Sequence, residues 1–206
     1  MSVNIILIAV ISIISIIAFN RPEIIARFQL NAWSVFNRKE YVRMISHGFL
    51  HADWGHLLIN MFVLFSFGRA VLFYFEYFFT DYTEIRFLLL FLTAIPVSAI
   101  YSVIKNKENH WYNAVGASGA VSAVVFTSIF FDPYNPILLF AIIPIPGIIF
   151  GVLYLYYSAR MSRKQADNIG HDAHLWGAVY GFVFPLFYDP SLIFRFFDQI
   201  LTFKIF

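Results

Sequence analysis

The chain contains no cysteine. That excludes disulfides, cysteine nucleophiles and thiolate-bound metals, and it leaves the redox compartment unread. Charge is nearly as scarce. Asp, Glu, Lys and Arg make up 13% of the 206 residues, while 60% are hydrophobic and 20% aromatic. A soluble domain carries about a quarter charged residues. With a mean hydropathy of +0.73, the chain reads as an integral, multi-pass membrane protein whose first partner is the lipid bilayer. The net charge of +2 is too small to suggest nucleic acid, there is no dense basic run, and no nucleic-acid partner is expected.

The first twenty residues carry no charge. They lack a basic leading segment and a small-residue cleavage site, so they read as a retained first span. Position 2 is Ser2 and no cysteine ends the chain, so no lipid anchor is expected. Stretches free of Asp, Glu, Lys and Arg mark the spans, because a crossing helix needs about 20 mostly apolar residues. They are 1–20, 54–68, 87–104, 111–131, 133–159 and 173–188. The second is expected to run past Arg69 towards Phe75, and the helix of the fifth to begin at Pro146. In lipid the backbone must bond internally, and no strand alternation suggests a barrel. The expectation is therefore an all-α, polytopic bundle of six transmembrane helices, forming one domain over 1–206. Residues 21–46 mix charges with Ile24, Ile25, Phe28, Leu30, Trp33 and Phe36, which suits a structured loop in the interface. The tail from about 190 to 206 spaces Arg195, Asp198 and Lys204 among aromatics and reads as an interfacial helix.

Polar side chains at membrane depth face the bundle interior or a wet cavity. Three groups stand out. His47, His51, His56 and Asn60 open the second span, and His56 and Asn60 share a helical face. Ser118 lies between Gly116 and Gly119 in AVGASGAVSAVVF. His174, Gly177 and Gly181 form a stripe in the last span. For Ser118 two readings stay open: a small residue packed between helices, or a nucleophile at a helix start. A helix from Ser118 to Asp132-Pro133 would have about 14 residues and rise about 21 Å, short of a hydrocarbon core about 30 Å thick. Residues 111–117 would then cross the remaining distance as irregular backbone, which survives at depth only beside a cavity or inside protein. Serine needs a base, and His174 is the candidate. Gly177 and Gly181 would let the sixth helix approach Gly119 and Ala120. Asp172 points away from the His174 face, so a dyad is expected rather than a triad. His56, Asn60 and the Ser118 amide could supply oxyanion donors. A rival reading has His47, His51, His56, His171 and His174 ligating a metal, although no two are adjacent, as membrane His-box enzymes require.

HGFLHADWGHLLIN, with its His-x3-His-x4-His-x3-Asn spacing, resembles the second helix of the rhomboid intramembrane serine proteases. GASGA resembles their Gly-x-Ser-Gly and AHLWGAVYG their Ala-His-x2-Gly-x3-Gly. The resemblance covers all six spans. It implies a rhomboid-like bundle that cleaves transmembrane segments of single-span proteins, without cofactor or metal, in a bacterial cytoplasmic membrane. It implies Ser118 as nucleophile, His174 as general base and acid, and His56, Asn60 and the Ser118 amide as the oxyanion hole. His51 and His47 match supporting positions, as do Gly116, Gly119, Gly177 and Gly181. Arg43 matches the Arg of the family's Trp-Arg loop motif. The Trp of that motif is Val42 here. Ser122 stands where many members place an aromatic ring that stacks on the catalytic His. The alternative within the resemblance is a catalytically inactive relative that binds transmembrane segments.

Orientation divides the expectations. Ten Lys and Arg residues (Arg21, Arg27, Arg38, Lys39, Arg43, Lys105, Lys107, Arg160, Arg163 and Lys164) fall in the odd loops. Three fall on the other side, with Arg69 inside the second span. The positive-inside rule puts both termini outside, whereas the resemblance implies a cytoplasmic N-terminus and a site that opens outward.

Overall fold

The computed structural model describes residues 2–139, 142–164 and 170–202. An aliphatic run forms α1 (Val3–Phe19), capped at its start by Ser2, whose hydroxyl accepts the Asn4 N–H. The expected interfacial loop is structured. It contains α2 (Pro22–Phe28), β1 (Leu30–Asn31), α3 (Ala32–Arg38) and α4 (Arg43–Ser46). Pro22 opens α2, where its missing N–H costs nothing, and none of the α2 residues is buried. A 3-10 turn, His47–Phe49, leads to α5 (Trp54–Phe79). The Asp53 side chain caps α5 by accepting the His56 N–H at 2.8 Å. The helix continues beyond the expected Phe75 because Arg69 lies over the Phe65 ring, 5.5 Å from its centroid, and stays out of the core.

The remaining elements are α6 (Thr83–Lys105), β2 (Asn113–Ala114), α7 (Ser118–Phe131), β3 (Pro136–Leu139), β4 (Ile143–Pro146), α8 (Gly147–Lys164) and α9 (His171–Val183). A 3-10 turn, Phe184–Phe187, joins α9 to α10 (Leu192–Thr202). The fifth span differs from its expectation. Its first half is an antiparallel hairpin pairing Pro136 with Pro146 and Leu139 with Ile143. Of the prolines that make this stretch look like the irregular start of a helix, Pro136 and Pro146 close the open end of the ribbon and Pro144 pairs with Leu138 inside it. The helix begins at Gly147, one residue past Pro146. The tail turns away from the preceding helix by 115°, as suits a helix lying along the interface; residues 203–206 lie outside the described residues.

Six helices, α1, α5, α6, α7, α8 and α9, make the bundle. Among the described residues only α5 and α6 are by themselves long and apolar enough to cross a membrane, while α1 and α7 are apolar but shorter. The helix α7 is apolar all round, and every residue from Gly119 to Phe131 is buried. That is the signature of a central helix, and α5, α6 and α9 surround it.

Side-chain size changes along the bundle axis. Towards the C-terminal end of α7 the core is aromatic: Phe75, Phe87, Phe91, Phe130 and Phe131 are fully buried. Phe131 stacks on Phe78 at 5.0 Å, and Phe130 on Phe196 of α10 at 5.6 Å. At the N-terminal end of α7 the neighbours are small. A Cβ on Gly177 would lie 2.1 Å from the Gly119 carbonyl oxygen, and one on Gly181 2.0 Å from that of Ala123. The Thr127 hydroxyl donates to the Gly181 carbonyl at 2.7 Å. The α9 glycine stripe therefore packs on Gly119 and Ala123, not on Gly119 and Ala120. The correction follows from helical spacing, since residues four apart share a face and Ala120 is turned a quarter-circle away.

Candidate active site

A cavity of about 840 Å³ opens at the small-residue end of the bundle. Ser118, His174, His56, Asn60, His47, Gly116 and Gly119 all line it. The 3-10 turn, α5, the start of α7 and α9 thus bring these seven sequence-predicted residues to one place, while His51, Arg43, Gly177 and Gly181 do not line the cavity.

Ser118 is the first residue of α7, as its flanking glycines suggest. Its backbone N–H belongs to the first turn, where no intrahelical carbonyl exists to receive it. The stretch 112–117 is non-helical and tied to other parts of the chain, while Trp111 just before it is exposed. Its β2 strand pairs Asn113 with Asn31 and Ala114 with Leu30. The Asn31 side chain donates to the carbonyls of His110 at 3.0 Å and Tyr112 at 3.3 Å. The Gly116 N–H donates to the His47 carbonyl at 3.0 Å. Gly116 has φ +129°, a region L side chains rarely adopt. A Cβ there would also lie 2.9 Å from His56 Nε2 and 3.7 Å from Ser118 Oγ. The imidazole edge of His56 and the Ser118 hydroxyl therefore flank the same point. The Asn60 amide donates one N–H to the His56 carbonyl at 2.8 Å, which leaves its second N–H for another acceptor.

His174 stands in the first turn of α9. Its ring stacks on Tyr154 of α8, with centroids 6.1 Å apart and planes at 26°, and meets His171 edge-on at 5.9 Å. Gly119 carries the convergence of three helices: a Cβ would lie 2.3 Å from Ser98 Oγ of α6 and 3.3 Å from the Ala173 carbonyl of α9. Asp172 is engaged away from the cavity. It pairs with Lys105 at 2.9 Å and accepts the Ser162 hydroxyl, so it ties the ends of α6, α8 and α9 together.

The supporting histidines are neutral groups at neutral pH. His47 Nδ1 bonds the Arg43 carbonyl at 2.9 Å, which makes that nitrogen the donor, and burial pushes its pKa down to about 4. His51 is fully buried and bonds Ser15 Oγ through Nδ1 at 2.8 Å; burial, then the neighbouring His56, lowers its pKa to about 3. Arg43 serves the loop. Its guanidinium donates to the Ala26 and Gln29 carbonyls, both at 3.0 Å, and pairs with Glu40. Val42 caps α4 through its carbonyl, and the residue is 61% exposed. The loop's tryptophan contact comes from Trp33, which lies 4.1 Å from His110 and under Arg38. Among the described residues no three His, Asp or Glu side chains are grouped to hold a metal ion.

Residues beyond the sequence-based set also line the cavity, among them Ser98, Ser102, Tyr112, Asn113 and Tyr154. Tyr154 had no distinguishing signal in a span that also holds Phe150, Tyr156 and Tyr157.

Comparison with known proteins agrees with this arrangement at the level of the family. The family model of the Rhomboid domain matches residues 38–190. The chain is 27% identical over 154 residues to RHOMBOID-like protein 12, mitochondrial, of Arabidopsis thaliana. That match covers 66% of this chain but only 43% of the relative, so the chain spans less than half the length of the curated protein it resembles. With the family model covering most of the bundle and most of the cavity lining, the chain belongs to the rhomboid family.

Proposed function

We propose that the chain is an intramembrane serine endopeptidase that cleaves transmembrane segments through a Ser118–His174 dyad. One observation carries the reading. Ser118, at the N-terminus of a central helix too short to cross the bilayer, shares a cavity with His174, His56 and Asn60.

A substrate helix, from a single-span protein, unwinds near the surface, because helical backbone is shielded from attack. The Ser118 oxygen attacks the exposed peptide carbonyl while His174 takes the hydroxyl proton. His56, Asn60 and the Ser118 N–H donate to the developing oxyanion. His174 then passes its proton to the leaving amine, and cavity water hydrolyses the acyl-enzyme. The chemistry draws on no cofactor and no metal. The setting proposed for it is a bacterial cytoplasmic membrane, which fractionation of the native host tests.

Labelling of the detergent-solubilised protein by a fluorophosphonate tests the reading, with Ser118→Ala and His174→Ala beside the wild type. The expected result is labelling of the wild type that both substitutions abolish. A folded wild type that fails to label would favour a relative that binds transmembrane segments without cutting them.

A further inference from the structure

We propose that Tyr154 is the positioning residue of the site, holding the His174 ring in the orientation from which it can serve Ser118. The proposal rests on the dyad reading given above. A general base must keep its nitrogen within about 2.6–3.2 Å of the proton it takes, and so its rotamer has to be locked by neighbours. The Tyr154 ring lies nearly parallel to the His174 ring at 6.1 Å, an offset stack of the kind aromatic pairs prefer.

Tyr154 is itself held from three sides. Its hydroxyl bonds the Ser122 hydroxyl at 2.6 Å. Phe150, one turn earlier in α8, stacks on it at 5.7 Å. Phe126 of α7 packs at 5.6 Å and 49°. Ser122 lies one turn beyond Ser118 on the same helix, so the face that presents the nucleophile also anchors the support of the base. The resemblance to the rhomboid proteases implies a ring at position 122, reaching His174 from α7. Here position 122 is a hydroxyl and the ring comes from α8. Ser122 and Tyr154 form a matched pair: an aromatic side chain at 122 would occupy the place of the Tyr154 hydroxyl.

The test uses the full chain in detergent, with Tyr154→Phe, Tyr154→Leu and the double variant Ser122→Tyr with Tyr154→Leu. The first readout is the rate of fluorophosphonate labelling against probe concentration. Tyr154→Leu is expected to slow the saturated rate about tenfold, the scale of a lost aromatic pair, with half-saturation unchanged. Tyr154→Phe keeps the ring and loses less. Ser122→Tyr restores the rate in the Tyr154→Leu background. A wild-type rate in Tyr154→Leu overturns the proposal, as does a loss that Ser122→Tyr fails to restore. The second readout is independent of catalysis: the ring-proton signals of His174 by NMR in histidine-labelled protein, assigned with His174→Gln. Displacement by the neighbouring ring should persist in Tyr154→Phe and vanish in Tyr154→Leu; signals unchanged in Tyr154→Leu overturn the positioning role. If the wild type does not label at all, the protease reading fails, and this second readout alone decides whether Tyr154 holds His174.

Discussion

Gly177 and Gly119 meet backbone to backbone: a Cβ on Gly177 would stand 2.1 Å from the Gly119 carbonyl oxygen. Ser118 precedes one of these glycines and His174 lies one turn before the other. The separation of the two candidate reactive groups is therefore set by main-chain contact between α7 and α9, without a side chain as spacer. Gly177→Ala must push the helices apart, and overpacking of this kind costs about 1–3 kcal/mol or more. The expected outcome is a lowered thermal midpoint and labelling reduced at least about tenfold. Gly151→Ala, whose Cβ would make an ordinary 3.4 Å contact with the Phe126 ring, should leave both near wild type.

Asn60 tests the oxyanion assignment. Its amide keeps one N–H on the His56 carbonyl, and Asn60→Ala removes the other from the cavity. Loss of one oxyanion donor costs on the order of 100-fold in kcat. A cleavage assay on a single-span substrate should show that fall with KM little changed. Equal losses in binding and turnover would instead mark Asn60 as a structural hydrogen bond between helices.

Acid should loosen the fold. The folded pKa of His47, about 4, lies below the 6.5 of an unperturbed histidine, so as pH falls the unfolded chain takes up the proton first. Its contribution is neutral above about pH 6.5 and turns against the fold as pH falls below that value, reaching about 2 kcal/mol at pH 5. His51 acts in the same direction. Thermal midpoints in detergent at pH 7 and pH 5 should differ accordingly, and His47→Gln should flatten the difference.

The first loop should depend on Arg43 and not on position 42. Arg43→Ala frees the Ala26 and Gln29 carbonyls and is expected to make residues 21–46 sensitive to added protease. Val42→Trp, at an exposed site, should change labelling by less than about twofold.

Orientation is open to direct measurement, since a chain without cysteine accepts single reporters cleanly. The odd loops, which rim the cavity, carry the greater share of Lys and Arg. The positive-inside rule predicts that a reporter at Lys107 reacts from the cytoplasmic side, and one at Asp81 from the other. The opposite pattern would show the charge bias overruled.

Much of this architecture is legible in the amino-acid order, for physical reasons that can be named. The spans appear as charge-free runs because lipid excludes charge. The start of α7 is visible because Gly116 and Gly119 flank Ser118, and its end because Pro133 follows Asp132. The hairpin at 136–146 was not legible, since an apolar, proline-rich ribbon has the composition of a broken span. Ala123 as the partner of Gly181 could have been read from the four-residue period that links it to Gly119. Tyr154 could not, because nothing in a helix sequence says which of its aromatics faces a histidine on another helix. Nor could the packing of Trp33 against His110 and Arg38, since the sequence does not say which residues of the first loop meet.

The bundle's change from small residues at one end to a plug of phenylalanines at the other bears on more than packing. A hydrolase needs water at the depth of its serine, and a hole lined with histidines and water invites protons to cross. Here Phe75, Phe87, Phe91, Phe130 and Phe131 lie outside the cavity lining and are fully buried in the aromatic half of the core. Those rings offer no polar atom through which a water chain could continue. On the proposed reading, hydrolysis is thereby confined to the end of the bundle that holds the cavity.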